Sequence, residues 1–113
     1  MNRGDVVEIR WFNSDRSEGK VRPALVVQAD FLNSLIDDTI LVQITGSRFG
    51  IPGTEVMIDP AIETASGLTK VSVANCTQIV TIDQGLALPI VGYLSNSIML
   101  QIEACLKKVL EIP

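Results

Sequence analysis

The chain has 113 residues, 47% of them apolar, with a mean hydropathy of +0.35, a net charge of −4 and a pI near 4.6. That length fits one domain spanning residues 1–113 and leaves no room for a second module. The acidic balance argues against a protein that tracks a long phosphate backbone by electrostatics, while a short, local nucleic-acid contact stays open.

No apolar run approaches the roughly twenty residues needed to cross a bilayer, and Met1-Asn2-Arg3-Gly4-Asp5 has no signal-peptide core, so a cytoplasmic protein without membrane contact is expected. The surplus of apolar residues suggests a subunit interface, hence a homodimer. Histidine is absent, which removes the commonest general acid or base, the commonest metal ligand and every Cys–His or Ser–His nucleophile pair. Catalysis would have to use other groups, and neither a metal nor a cofactor is expected. Cys76 and Cys105 lack CxxC spacing and read as reduced, partly buried thiols.

Val6, Val7, Ile9 and Trp11 suggest a first strand. Residues 13–20 (Asn-Ser-Asp-Arg-Ser-Glu-Gly-Lys) lack apolar periodicity and read as an exposed loop. A second strand is expected to open at Arg22, the only charge beside the apolar run Ala24 to Val27, with Pro23 tolerated at the strand's first residue. Residues 39–45 alternate, with Ile40, Val42 and Ile44 on one face and Thr45 at the end of the other. Further short strands are expected at 55–59, 70–74 and 77–82, separated by turn signals at Pro52-Gly53, Asp59-Pro60 and Ser66-Gly67. From Ser95, a candidate cap, Ile98, Ile102, Cys105, Leu106 and Val109 recur at helical spacing. The pattern predicts a mainly β protein, a small barrel closed by a C-terminal helix.

Arg22 is the most informative position. A guanidinium mounted on a strand is held rigidly, stays charged, and can grip a phosphate with two hydrogen bonds; the alternative is an arginine that only solubilises the sheet rim.

The order and spacing of several pieces together resemble the MazF/PemK-type toxins. The pieces are Arg3-Gly4-Asp5-Val6, Arg22-Pro23-Ala24-Leu25-Val26-Val27, Ile44-Thr45, Gly67-Leu68 before Lys70, Gln78-Ile79 followed by Thr81-Ile82-Asp83, and Leu94-Ser95 leading into a helix with Met99 and Ile102-Glu103. The resemblance implies an SH3-like barrel of the CcdB/PemK type with a C-terminal helix. It also implies a homodimeric endoribonuclease that cleaves single-stranded RNA without metal, by attack of a ribose 2′-hydroxyl, leaving 2′,3′-cyclic phosphate and 5′-hydroxyl ends. A cognate antitoxin would inhibit it.

On that resemblance Arg22 and Thr45 are the catalytic residues, an assignment that agrees with what a dianionic phosphorane needs from rigid donors. Glu18 is the nearest carboxylate able to take the 2′-hydroxyl proton; a solvated loop glutamate without a chemical duty is the other reading. Arg16, Lys20, Arg48 and Lys70 are candidate RNA contacts or ordinary surface charges. Ser47 is a candidate for orienting substrate beside Thr45, or else a turn hydroxyl. Gln78 is a candidate near the RNA and is expected to hydrogen-bond the backbone.

Three departures from the family pattern stand out. The loop around Ser17-Glu18-Gly19 is one residue short, Val80 replaces a basic residue after the Gln-Ile pair, and Val71 replaces an acidic one. They leave an alternative open: a non-catalytic, CcdB-like toxin or degenerate barrel that acts by holding a protein target.

Overall fold

The computed structural model describes residues 1–12, 18–87 and 89–113, with Phe12 and Glu18 described by their backbone. Six strands are formed: β1 (Asp5–Phe12), β2 (Glu18–Val26), β3 (Asp38–Thr45), β4 (Glu55–Ile58), β5 (Ser72–Asp83) and β6 (Ile90–Tyr93). They make one antiparallel sheet in the order β4-β5-β3-β2-β1-β6, curled into a half-barrel. Two helices complete the fold, α1 (Asp30–Leu35) and α2 (Asn96–Val109), with a 3-10 turn at Gln84–Leu86. Among the described residues no helix is long and apolar enough to cross a membrane.

Because strand side chains alternate, β1, β2, β3 and β5 each feed two cores. On the inner face Val6, Leu25, Val42, Ile44, Ala74 and Ile58 pack beneath Met99, Ile102 and Cys105 of α2. On the outer face Val7, Ile9, Ala24, Val26 and Leu41 form a second cluster, flanked by Trp11, Val80 and Ile82, which are only half-buried. Helix α2 begins as the sequence predicts. Ser95 Oγ accepts the Ile98 amide at 3.3 Å, while the Glu63 carboxylate takes the Ser95 amide and hydroxyl at 2.7 and 3.0 Å, tying the 59–65 segment to the helix start. Gly92 lets β6 approach that segment: a Cβ there would collide with the Ala65 carbonyl oxygen.

Several elements differ from the sequence reading. The two strands expected at 70–74 and 77–82 are one, β5, which starts at Ser72 and carries a bulge: Asn75 pairs with Gln43 while Ile79 pairs with Val42. Residues 18–20 belong to β2, so the expected loop is shorter at its C-terminal end. Helix α1 and strand β6 are additions to the sequence reading. No residue of α1 is buried; polar contacts hold it instead. Asn33 accepts from Gln28 Nε2 and Thr39 Oγ1 at 2.9 and 2.7 Å, and the Asn33 carbonyl accepts from Gln84 Nε2 at 2.9 Å.

Candidate functional site

Arg22 lies inside β2, paired with Ile9, not at the strand's opening, because pairing with β1 reaches back to Glu18. The β2–β3 pairs run from Val26↔Leu41 to Ala24↔Gln43. Pro23 follows, mid-strand rather than first; having no N–H to donate, it ends that ladder. Continued two places, the register sets Arg22 across from Thr45, whose other neighbour is Val73 of β5. Residues so placed share a face of the sheet. Alternation identifies the face as the outer one, since Ala24 and Val26 belong to the outer core while Val42 and Ile44 belong to the inner.

Arg22 is half-buried as a residue, and its guanidinium has no hydrogen-bond or ion-pair partner among the described residues. Thr45 Oγ1 accepts the Ser47 amide at 3.2 Å, which fixes the hydroxyl and leaves its hydrogen to donate elsewhere. Ser47 contributes that amide, and its side chain is exposed. Lys70 joins the same end of the sheet: a Cβ built on Gly46 would lie 3.5 Å from its Nζ. Lys20 is exposed two residues before Arg22. Arg16 and the Glu18 side chain lie outside the described residues.

Arg48 is engaged, its Nε donating to Glu55 Oε1 at 3.1 Å. The Glu55 carboxylate also accepts the amides of Phe49 and Gly50 at 3.1 and 3.3 Å. Burial alone would raise its pKa, but the Arg48 hydrogen bond and these two amides outweigh burial and hold it below the ordinary glutamate value. Glu55 and its cross-strand partner Asn75 are in the row that contains Gln43 and Ala24, next to but one from the Arg22–Thr45 row and on the same face. Sequence reasoning missed Glu55, Phe49 and Asn75.

Gln78 does not hold the backbone as expected. Its Nε2 reaches only Thr77 Oγ1, at 3.4 Å, and the side chain is exposed, because Asn75 does the holding: its Oδ1 accepts the Thr77 amide at 3.0 Å and the Thr77 hydroxyl at 2.7 Å. Gln78 instead stands at the edge of an outer-face groove of about 530 Å³ lined by Ile9, Trp11, Val80, Ile82 and Leu86. Two buried polar atoms, Trp11 Nε1 and Asn75 Nδ2, have no partner among the described residues. Among those residues no cluster of three His, Cys, Asp or Glu side chains is placed to hold a metal ion. Cys76 and Cys105 are free, buried thiols; burial, with Cys105 beside it, pushes the Cys76 pKa up to about 12.

A family model described as the PemK-like, MazF-like toxin of type II toxin–antitoxin systems matches residues 2–110. No curated protein matches the sequence. Solved structures similar in fold include a mycobacterial endoribonuclease in complex with its cognate antitoxin, 23% identical over 100% of this chain and 97% of that one, with a TM-score of 0.81. The Mycobacterium tuberculosis toxin MazF-mt6 is 22% identical over 98% and 99%, with a TM-score of 0.77. The MazE–MazF complex of Deinococcus radiodurans contains a chain 17% identical over 100% and 98%, with a TM-score of 0.76.

Proposed function

The chain belongs to the PemK-like, MazF-like toxins of type II toxin–antitoxin systems, and from that membership and the outer-face geometry we propose that it is an endoribonuclease toxin that cleaves single-stranded RNA without a metal. The observation that supports the proposal is Arg22 itself, carried within a strand and without a protein partner among the described residues, on the sheet face and toward the sheet end that also carry Thr45. A scissile phosphodiester fits between these donors. As the ribose 2′-oxygen bonds to phosphorus and the bond to the 5′-oxygen breaks, negative charge builds on the two non-bridging oxygens. Arg22 and the Thr45 hydroxyl stabilise that charge, and because the sheet holds both in advance, little reorganisation opposes the step.

The 2′-hydroxyl must lose a proton and the leaving 5′-oxygen must gain one. A guanidinium keeps its charge and has no lone pair to take a proton, so Arg22 is assigned as donor to the leaving oxygen and Glu18, four residues earlier, as base to the 2′-hydroxyl. No water is consumed, and the products carry 2′,3′-cyclic phosphate and 5′-hydroxyl ends. Lys20, Lys70 and Gln78 contact the flanking RNA, as do Arg16, Ser47 and Arg48. The half-buried outer core around Trp11, Val80 and Ile82 is the homodimer interface, and a cognate antitoxin blocks the face that carries Arg22.

The test incubates the purified chain, and Arg22→Ala, with a long single-stranded RNA in excess EDTA, followed by analysis of the fragment ends. Cleavage that persists in chelator, yields cyclic-phosphate ends and falls at least ~10²-fold in Arg22→Ala is the expected result. Growth arrest in cells without any RNA cleavage in vitro would overturn it and point to a CcdB-like toxin that holds a protein target.

A further inference from the structure

We infer that the loop over residues 46–53 is a base-reading wall of this site, with Phe49 stacking on an unpaired RNA base next to the scissile phosphate and Glu55 acting as the positioning residue that holds the ring there. The inference rests on the nuclease reading above. Its starting point is a contradiction in burial: Glu55 begins an edge strand, yet its side chain is only 4% exposed. The carboxylate is buried because the loop leaving Thr45 folds back over it and spends two amides and one arginine nitrogen on it. Gly50, at φ +76°, provides the left-handed turn this return requires.

Pairing fixes where the folded loop stands. Glu55 is opposite Asn75, Asn75 opposite Gln43, and Gln43 is two residues from Thr45 on the same strand and face. Segment 48–50 is therefore held on Glu55 at the β4 edge of the outer face, on the Thr45 side of the site, and the chain from Thr45 cannot carry Phe49 farther than about 14 Å. Within that reach the loop presents a ring that is 56% exposed and an arginine side chain that is 59% exposed, whose terminal nitrogens have no partner among the described residues.

A large aromatic left in solvent while its own backbone amide is clamped by a buried carboxylate is not contributing to a core. It is a flat apolar surface set in advance beside a phosphate-binding cation, the combination that takes unpaired bases: the ring stacks, the guanidinium meets the backbone or a base plane, and little ordering remains at binding. Stacking accepts any base but favours purines by area, so the loop biases which nucleotide lies next to the cut.

The experiment maps cleavage sites and rates on one long single-stranded RNA for the wild-type chain, Phe49→Ala, Phe49→Tyr and Glu55→Gln. Loss of one stacked base should lower kcat/KM at the preferred sites by roughly 5- to 150-fold in Phe49→Ala, mainly through KM, and flatten the ranking of sites. Phe49→Tyr should restore both. Glu55→Gln should move in the direction of Phe49→Ala and speed amide hydrogen exchange at Phe49 and Gly50, while the melting temperature of Phe49→Ala should stay at the wild-type value. Unchanged rates and ranking in Phe49→Ala would overturn the inference and leave the nuclease reading standing, as would unchanged cleavage accompanied by weakened antitoxin binding, which would make the ring a protein contact. Absence of cleavage by the wild-type chain would remove both.

Discussion

If Arg22 and Thr45 act on one phosphate, their removals must be coupled. Arg22→Ala deletes a charged fork with several donors, and Thr45→Val deletes one hydroxyl while keeping the β-branched shape that suits a strand. Taking away one preorganised donor of this kind costs about 10²–10³ in rate, or about 2.7–4 kcal/mol. Donors acting on separate events would multiply to about 10⁴–10⁶. The register sets these two across from each other on one face, and groups that share a partner show interaction energies of about 0.5–3 kcal/mol. The double variant should therefore fall short of the product by roughly 2- to 150-fold. Thr45→Val also loses the bond from the Ser47 amide, so folded fraction must be checked by melting before rates are compared. Single-turnover cleavage of an RNA with one cut site, by all four proteins, measures the cycle. Thr45→Val within a few-fold of wild type, or losses that multiply in full, would refute a shared phosphate.

Ile102 is fully buried between α2 and the sheet, so Ile102→Ala should destabilise by about 2–5 kcal/mol, a fall in Tm of roughly 8–20 °C by calorimetry. Gly92→Ala drives a methyl against the Ala65 carbonyl and the Ser66 backbone, and urea titration should show at least about 1–3 kcal/mol of destabilisation. Cys76 gives an alkaline limit: its folded pKa, raised to about 12 from 9.0, means the unfolded chain loses this proton first, so the contribution is intact below pH 9 and is lost as pH climbs toward 12. The slope is at most about 1.4 kcal/mol per pH unit, and stability curves of Cys76→Ala over that window should lack it.

The charge of Arg22 beside Ala24 to Val27 and the two-residue period of 39–45 are local features, so both residues of the candidate pair are legible in the sequence. Their opposition is not, because register depends on pairing between segments that a single sequence does not couple. Placing Arg22 at the strand's opening fails for the same reason: the polar residues 18–20 look like loop, yet β1 extends far enough to pair Phe12 with Glu18. Helix α1 leaves no apolar signature since it buries nothing and hangs on Asn33, Gln28 and Gln84. The β5 bulge is hidden because Asn75, which reads as a strand breaker, uses its side chain to hold the irregular turn. Glu55 reads as an ordinary charge at a strand start; only the returning loop makes it a buried anchor.

A net charge of −4 does not oppose this site, because what a phosphate meets is the local field. The Debye length at physiological salt is about 8 Å, so carboxylates on the far side of the molecule are screened, while a guanidinium in a partly buried position is screened much less. Arg22 is half-buried and Lys70 stands over the turn beside Thr45, and one carboxylate on this face, Glu55, is occupied by Arg48 and two amides. The same arrangement explains why one face can be both incompletely packed and chemically equipped. Helix α2 covers only the inner core, which supplies the rigidity, so the outer face keeps the Arg22 guanidinium available and leaves its apolar groove for the second protomer of the proposed dimer. A sheet packed on both sides by its own helices would be more stable and would have nowhere to hold a phosphodiester.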